Sequence, residues 1–134
     1  MKTGIHSGIK VLIVDDENAV ADSLALVFSV AGYDTRVANS AEEAAEIIRQ
    51  WEPRLVILDV VLPGMNGIEF TIQLKNSHPG CRVVLFSGQE ITSSLVQNAQ
   101  ERGHEFAILA KPVHPTLLLE EASRLSATGT APGN

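Results

Sequence analysis

The chain has 134 residues, enough for one domain around one hydrophobic core and too few for an eight-stranded α/β barrel. Hydrophobic residues make up 45% and charged residues 19%, a globular composition rather than a disordered one. The net charge of −6 opposes broad electrostatic binding to nucleic acid, and a lone cysteine, Cys81, excludes an internal disulfide framework.

Residues 1–8 form a short N-terminal extension with one lysine and no apolar stretch of the kind a secretory signal needs. No apolar run approaches the ~20 residues of a membrane span. A cytoplasmic location and no membrane partner are therefore expected. Residues 10–15 are a Val/Ile/Leu run that suits a fully buried strand ending on Asp15-Asp16. Residues 17–31 put Val20, Leu24, Val27, Phe28 and Ala31 on one helical face, and Gly32 stops the helix. Asp34 to Ala38 reads as a shorter, more polar strand suited to a sheet edge. Ser40-Ala41-Glu42-Glu43 has the form of a capping box, with Glu43 reaching back to the Ser40 N–H. The helix it opens runs to Gln50, and Pro53 bars its continuation.

Residues 55–58 are the next strand and lead into Asp59. Pro63-Gly64-Met65-Asn66-Gly67 reads as a loop of turn residues. A helix follows over residues 68–76 and is broken by His78-Pro79-Gly80. Cys81, just before the strand 82–86, is expected to be a structural residue. That strand leads through Ser87-Gly88-Gln89 to a helix over 91–102. The strand 106–110 leads through Lys111-Pro112 to a last helix from Pro115 to Leu125, with proline in the first turn. Residues 127–134 are expected to be a flexible tail, leaving one domain over 9–126.

Strand and helix alternate five times along the chain. Right-handed crossovers turn this order into an α/β fold: a five-stranded parallel sheet, flavodoxin-like order 2-1-3-4-5, with helices on both faces. Strands buried on both sides need apolar residues throughout, as these have. The strand ends at Asp15-Asp16, Asp59, Ser87-Gly88 and Lys111-Pro112 then share one edge, and ligands bind at that edge in open sheets.

Each of these residues alone has an ordinary explanation. Asp16 caps a helix, Asp59 satisfies a loop, Ser87 serves a turn, and Lys111 is a solvated charge. Their convergence on one edge favours a shared site instead. Carboxylates ~4 Å apart repel by about 4 kcal/mol at an effective dielectric of 20, so a cation is expected between them. Oxygen donors without His or Cys suit Mg²⁺ rather than zinc or copper. Ser87 can donate to a phosphoryl oxygen, Gly88 lets backbone approach an anion, and Lys111 supplies a positive charge. A carboxylate can carry a covalent phosphate, and Asp59, standing alone between the acidic pair and Ser87, is best placed for that. His104 and His114 read as surface residues and Trp51 as a packing residue.

Asp15-Asp16, Asp59 with Leu62 to Gly67, Ser87-Gly88 and Lys111-Pro112 together resemble the receiver domain of bacterial two-component response regulators, across residues 9–125. The resemblance implies that Asp59 accepts a phosphoryl group from a sensor histidine kinase or a histidine phosphotransfer protein. It implies that Asp15, Asp16, Asp59 and the backbone carbonyl of Val61 hold Mg²⁺. Ser87 would bond the phosphoryl oxygen, and Lys111 would pair with Asp59 and later with the phosphate. A cis peptide between Lys111 and Pro112 is implied as well. The chain departs from the family at Ile108, where an aromatic residue is usual, so output is expected through helix and loop shifts. Val61 and Gln89 occupy the positions that tune phosphate lifetime; only Gln89 has a side chain that can orient a water.

The function expected is a phosphorylation-switched signalling module, not an enzyme, that changes its binding surface for a downstream protein. It would be a monomer or a weak phosphorylation-dependent dimer. One alternative is an aspartyl-phosphate phosphatase, which would need a second acid where Val61 stands. Another is a receiver fragment of a longer regulator. A flavin or nucleotide carrier is a further possibility, opposed by Asp15-Asp16-Glu17 where a phosphate loop would lie.

Overall fold

The computed structural model describes residues 8–62, 64–87, 97, 101, 107–110 and 115–129. The elements in order are β1 (Lys10–Val14), α1 (Asn18–Val30), β2 (Asp34–Ala38), α2 (Ala41–Trp51), β3 (Leu55–Asp59), β4 (Val61–Leu62), β5 (Met65–Asn66), α3 (Gly67–Ser77), β6 (Arg82–Ser87), β7 (Ala107–Ala110) and α4 (Pro115–Gly129). Five strands form one parallel sheet in the order β2-β1-β3-β6-β7, the arrangement expected from the sequence.

Successive residues of a strand face opposite sides of the sheet, so a strand with helices on both faces is apolar at every position. Val11, Ile13, Leu55, Ile57, Val84 and Phe86 pack against Ala21, Leu24 and Phe28 of α1 and Leu118 and Ala122 of α4. The alternate residues Leu12, Val14, Val56, Leu58 and Leu85 pack against Ala44 and Ile48 of α2 and Ile68, Phe70 and Leu74 of α3. Full burial of each large side chain contributes about 1.5–3 kcal/mol. β2 closes one edge, and its Asp34 and Arg36 are exposed.

Most helix ends follow local chemistry. Ser40 Oγ accepts the Glu43 N–H at 3.1 Å, as a capping box requires. Glu43 Oε1, however, accepts from the Asn39 N–H at 2.8 Å, one residue before the expected Ser40. Glu52, at φ 52°, ends α2 in the left-handed region before Pro53. Three expectations need correction. Residues 63–67 were read wholly as a loop, yet Met65–Asn66 pairs antiparallel with Val61–Leu62. Strands of two residues carry no readable periodicity, and Gly64, at φ 76°, helps the chain reverse between them. The third helix begins at Gly67, where Asn66 Oδ1 accepts the Ile68 N–H at 2.7 Å. The last helix passes the expected end at Leu125 and reaches Gly129, because Ser126, Ala127 and Thr128 include no breaker. Of the expected helix 91–102, Gln97 and Glu101 are helical and the rest lies outside the described residues.

Candidate functional site

The sheet register brings the acidic residues together. Val14 pairs with Leu58, so Asp15 and Asp59 leave β1 and β3 at the same level. β1 lies between β2 and β3, which is where the winding of the sheet reverses and a crevice opens. Asp15, Asp16 and Asp59 each bring one carboxylate oxygen to within 4.8 Å of the others. Asp15 is fully buried, Asp59 is 5% exposed, and Asp16 faces solvent.

Backbone contacts fix the two buried acids. Asp15 Oδ1 accepts the Glu17 N–H at 2.8 Å, and the Asp15 N–H donates to Ala38 O at 3.1 Å. The ordinary alternative for Asp16, a helix cap, is not made: Glu17 is the N-cap of α1 and its side chain makes no capping bond. Asp59 Oδ1 accepts the Val61 N–H at 3.0 Å. The Val60 N–H donates to Phe86 O at 3.0 Å, which ties the turn after Asp59 to β6.

Two further residues shape the site: Asn39 escaped the sequence reading, and Gly67 was read only as part of a loop. Asn39 Nδ2 donates to Asp15 O at 3.0 Å, holding the turn after β1 from the β2 side. Its position directly after β2, the neighbour of β1, is the signal that points to it. Gly67 N–H donates to Val60 O at 2.6 Å. A Cβ on Gly67 would lie 2.7 Å from both Asp59 O and Val60 Cα, so only glycine lets α3 start this close to the acid.

Chemically, the cluster is a hard-oxygen site. Among the described residues its carboxylates come without imidazole or thiolate, the donor set of Mg²⁺ and similar cations. The remaining predicted residues stand as follows. Val61, in β4, is 51% exposed and pairs with Asn66. Ser87 closes β6 opposite Ala110, and Ile108 lies in β7 opposite Leu85. Gly88, Gln89, Lys111, Pro112 with its expected cis peptide, His104 and His114 lie outside the described residues.

Residues 11–123 match the response regulator receiver domain family, and the chain belongs to it. It is 31% identical over 110 residues to the DNA-binding response regulator MtrA of Mycolicibacterium smegmatis, covering 82% of this chain and 47% of that protein. It thus spans about half the length of the curated relatives it matches. Among solved structures, the receiver domain of NtrX from Brucella abortus superposes with a TM-score of 0.78 at 33% identity, covering 88% of this chain and 98% of that one. A CheY-like receiver domain protein from Methanospirillum hungatei gives a TM-score of 0.77 at 29% identity, over 90% and 96% of the two chains. The fold is therefore the flavodoxin-like receiver fold of two-component response regulators. No helix among the described residues is long and apolar enough to cross a membrane.

Proposed function

We propose that Asp59 accepts a phosphoryl group from the phosphohistidine of a sensor kinase or phosphotransfer protein, and that the modified chain presents an altered surface to a downstream protein. The observation that carries this reading is the convergence of Asp15, Asp16 and Asp59 within 4.8 Å at the sheet's C-terminal edge. Asp59 Oδ1 is engaged by the Val61 N–H, which fixes the carboxylate plane. One carboxylate oxygen attacks phosphorus, a P–O bond forms, and the P–N bond to the donor imidazole breaks with its electron pair returning to nitrogen.

Asp15, Asp16, Asp59 and the Val61 carbonyl would hold Mg²⁺, which when bound neutralises charge on the phosphoryl oxygens. Ser87 donates a hydroxyl and Lys111 an ammonium to the same group, and Gly88 admits the backbone beside them. The chain assists its own phosphorylation and hydrolysis without turning over other substrates. Val61, apolar at the position two beyond Asp59, offers no acid for a phosphatase cycle. Gln89 tunes the phosphate lifetime, and with Ile108 in β7 the output runs through helix and loop shifts.

The test is incubation with acetyl phosphate and Mg²⁺ followed by intact mass measurement. The parent chain should gain one phosphoryl group; Asp59→Asn should gain none, and a chelator should prevent labelling. Labelling that survives the substitution would overturn the assignment of the acceptor.

A further inference from the structure

The opposite edge of the sheet gathers positive charge in an acidic chain. Lys10 opens β1, and the N–H of Arg54, the residue just before β3, donates to Lys10 O at 3.0 Å, so both stand at the N-terminal edge. Arg36 on β2 pairs with Leu12, two residues into β1. Lys10 and Arg36 meet at Trp51, the last residue of α2, and Arg54 follows it by three residues. Lys10 Nζ donates to Trp51 O at 3.1 Å and lies 5.7 Å from the indole centroid. Arg36 Cζ lies 4.6 Å from the same centroid. Among the described residues the ion pairs are Arg49–Glu46 and Arg124–Glu121, so these three cations have no carboxylate within bonding distance, although exposed Asp34 and Glu52 belong to the same edge.

Crowded cations repel, and the chain's net charge of −6 makes their concentration here a local reversal of its field. Stacking on the indole orders the Arg36 guanidinium at little entropic cost, and a guanidinium so held keeps its N–H rim for a carboxylate fork. We infer that this edge docks a carboxylate-rich segment of a partner protein, by an interaction independent of the phosphoryl site. A nucleic acid fits less well: the indole already has cations over it, so it is poorly placed to stack on a base. An anionic membrane fits less well: three cations at about 1 kcal/mol each fall short of the roughly four to eight basic residues of a lipid-binding cluster.

Trp51 is the sole tryptophan, so intrinsic fluorescence reports the site directly. The full chain is titrated with a hexaglutamate peptide, with hexaglutamine as the uncharged comparison. A saturable change in emission with hexaglutamate alone is expected, its affinity falling about tenfold between about 50 and about 200 mM salt. By calorimetry, Arg36→Gln and Arg54→Gln should each weaken binding by about threefold to tenfold, Arg36→Lys should retain part of it, and the distant Arg124→Gln should leave it unchanged. Circular dichroism of each variant checks that it is folded. The inference is overturned by the absence of a saturable change, by an equal response to hexaglutamine, or by equal weakening in Arg124→Gln. It is also overturned if oligothymidylate or phosphatidylserine vesicles bind more tightly than the peptide with the same dependence on Arg36.

Discussion

At the C-terminal edge of the sheet, Asp15, Asp16 and Asp59 crowd their carboxylates together behind turns held by short backbone bonds. Toward the N-terminal edge, Lys10 and Arg36 lie over one indole and Arg54 is tied by its backbone to Lys10, with long side chains that can rearrange. The strands between them are buried along their length, so the two charged ends are separated by apolar core. The contrast teaches that one sheet can support two kinds of surface. One end fixes the carboxylates of Asp15 and Asp59 tightly against backbone N–H groups. The other offers adaptable cations whose positions need not be set to within a fraction of an ångström.

The largest expected difference between the two ends concerns steric tolerance. Gly67→Ala drives a Cβ against Asp59 O and Val60 Cα, and unfolding titrations should show a loss of about 3 kcal/mol. Gly80 lies near the other end, just before Cys81 and β6, and a Cβ there meets nothing within 4 Å. Gly80→Ala should change stability by less than about 0.5 kcal/mol, and comparable losses for the two variants would break the contrast.

A smaller effect, of opposite sign, is expected from charge. With a chelator present, Asp15→Asn relieves repulsion within the acidic cluster and should raise the unfolding free energy by about 1–2 kcal/mol. Added Mg²⁺ should then stabilise the parent chain and leave the variant nearly unmoved. An Asp15→Asn chain that is less stable than its parent in chelator would show that the carboxylates are not in conflict.

At neutral pH the smallest effect lies beside the N-terminal edge, at Cys81. Burial pushes its thiol from the ordinary 9.0 up to about 12, with the Arg82 charge opposing in part. The folded chain therefore keeps a proton that the unfolded chain releases. This contribution to stability is intact below pH 9 and is lost as the pH rises toward about 12. The native thiol should be unreactive toward alkylating reagents at neutral pH and react only on unfolding, a rate readily followed by mass spectrometry.

Much of this was legible from residue order. The Val/Ile/Leu runs of β1 and β3 cannot satisfy a half-exposed sheet, so they announce helices on both faces, and the acidic residues follow those runs at the strand ends. Ser40 marks the start of α2 by its own hydrogen-bonding chemistry. Other features depend on where separate segments meet. The β4–β5 pair is too short to leave a pattern. Gly67 reads as an ordinary turn glycine until the fold shows that a Cβ there would lie 2.7 Å from Asp59 O. Asp16 has the composition of a cap, yet the turn after β1 gives the first free N–H to Asp15 instead. Trp51 was read as packing, and it does pack against the core, but its two cations come from β1 and β2 and meet it only through the register.

β2 carries a last consequence. An outermost strand exposes unpaired N–H and C=O groups that can recruit a strand from another molecule and seed aggregation. Here that strand spans only Asp34–Ala38 and displays Asp34 and Arg36 to water. Its shortness and its hydrated charges discourage edge-to-edge growth of the sheet, so the same arginine that stacks on an indole also guards the chain's colloidal behaviour at high concentration.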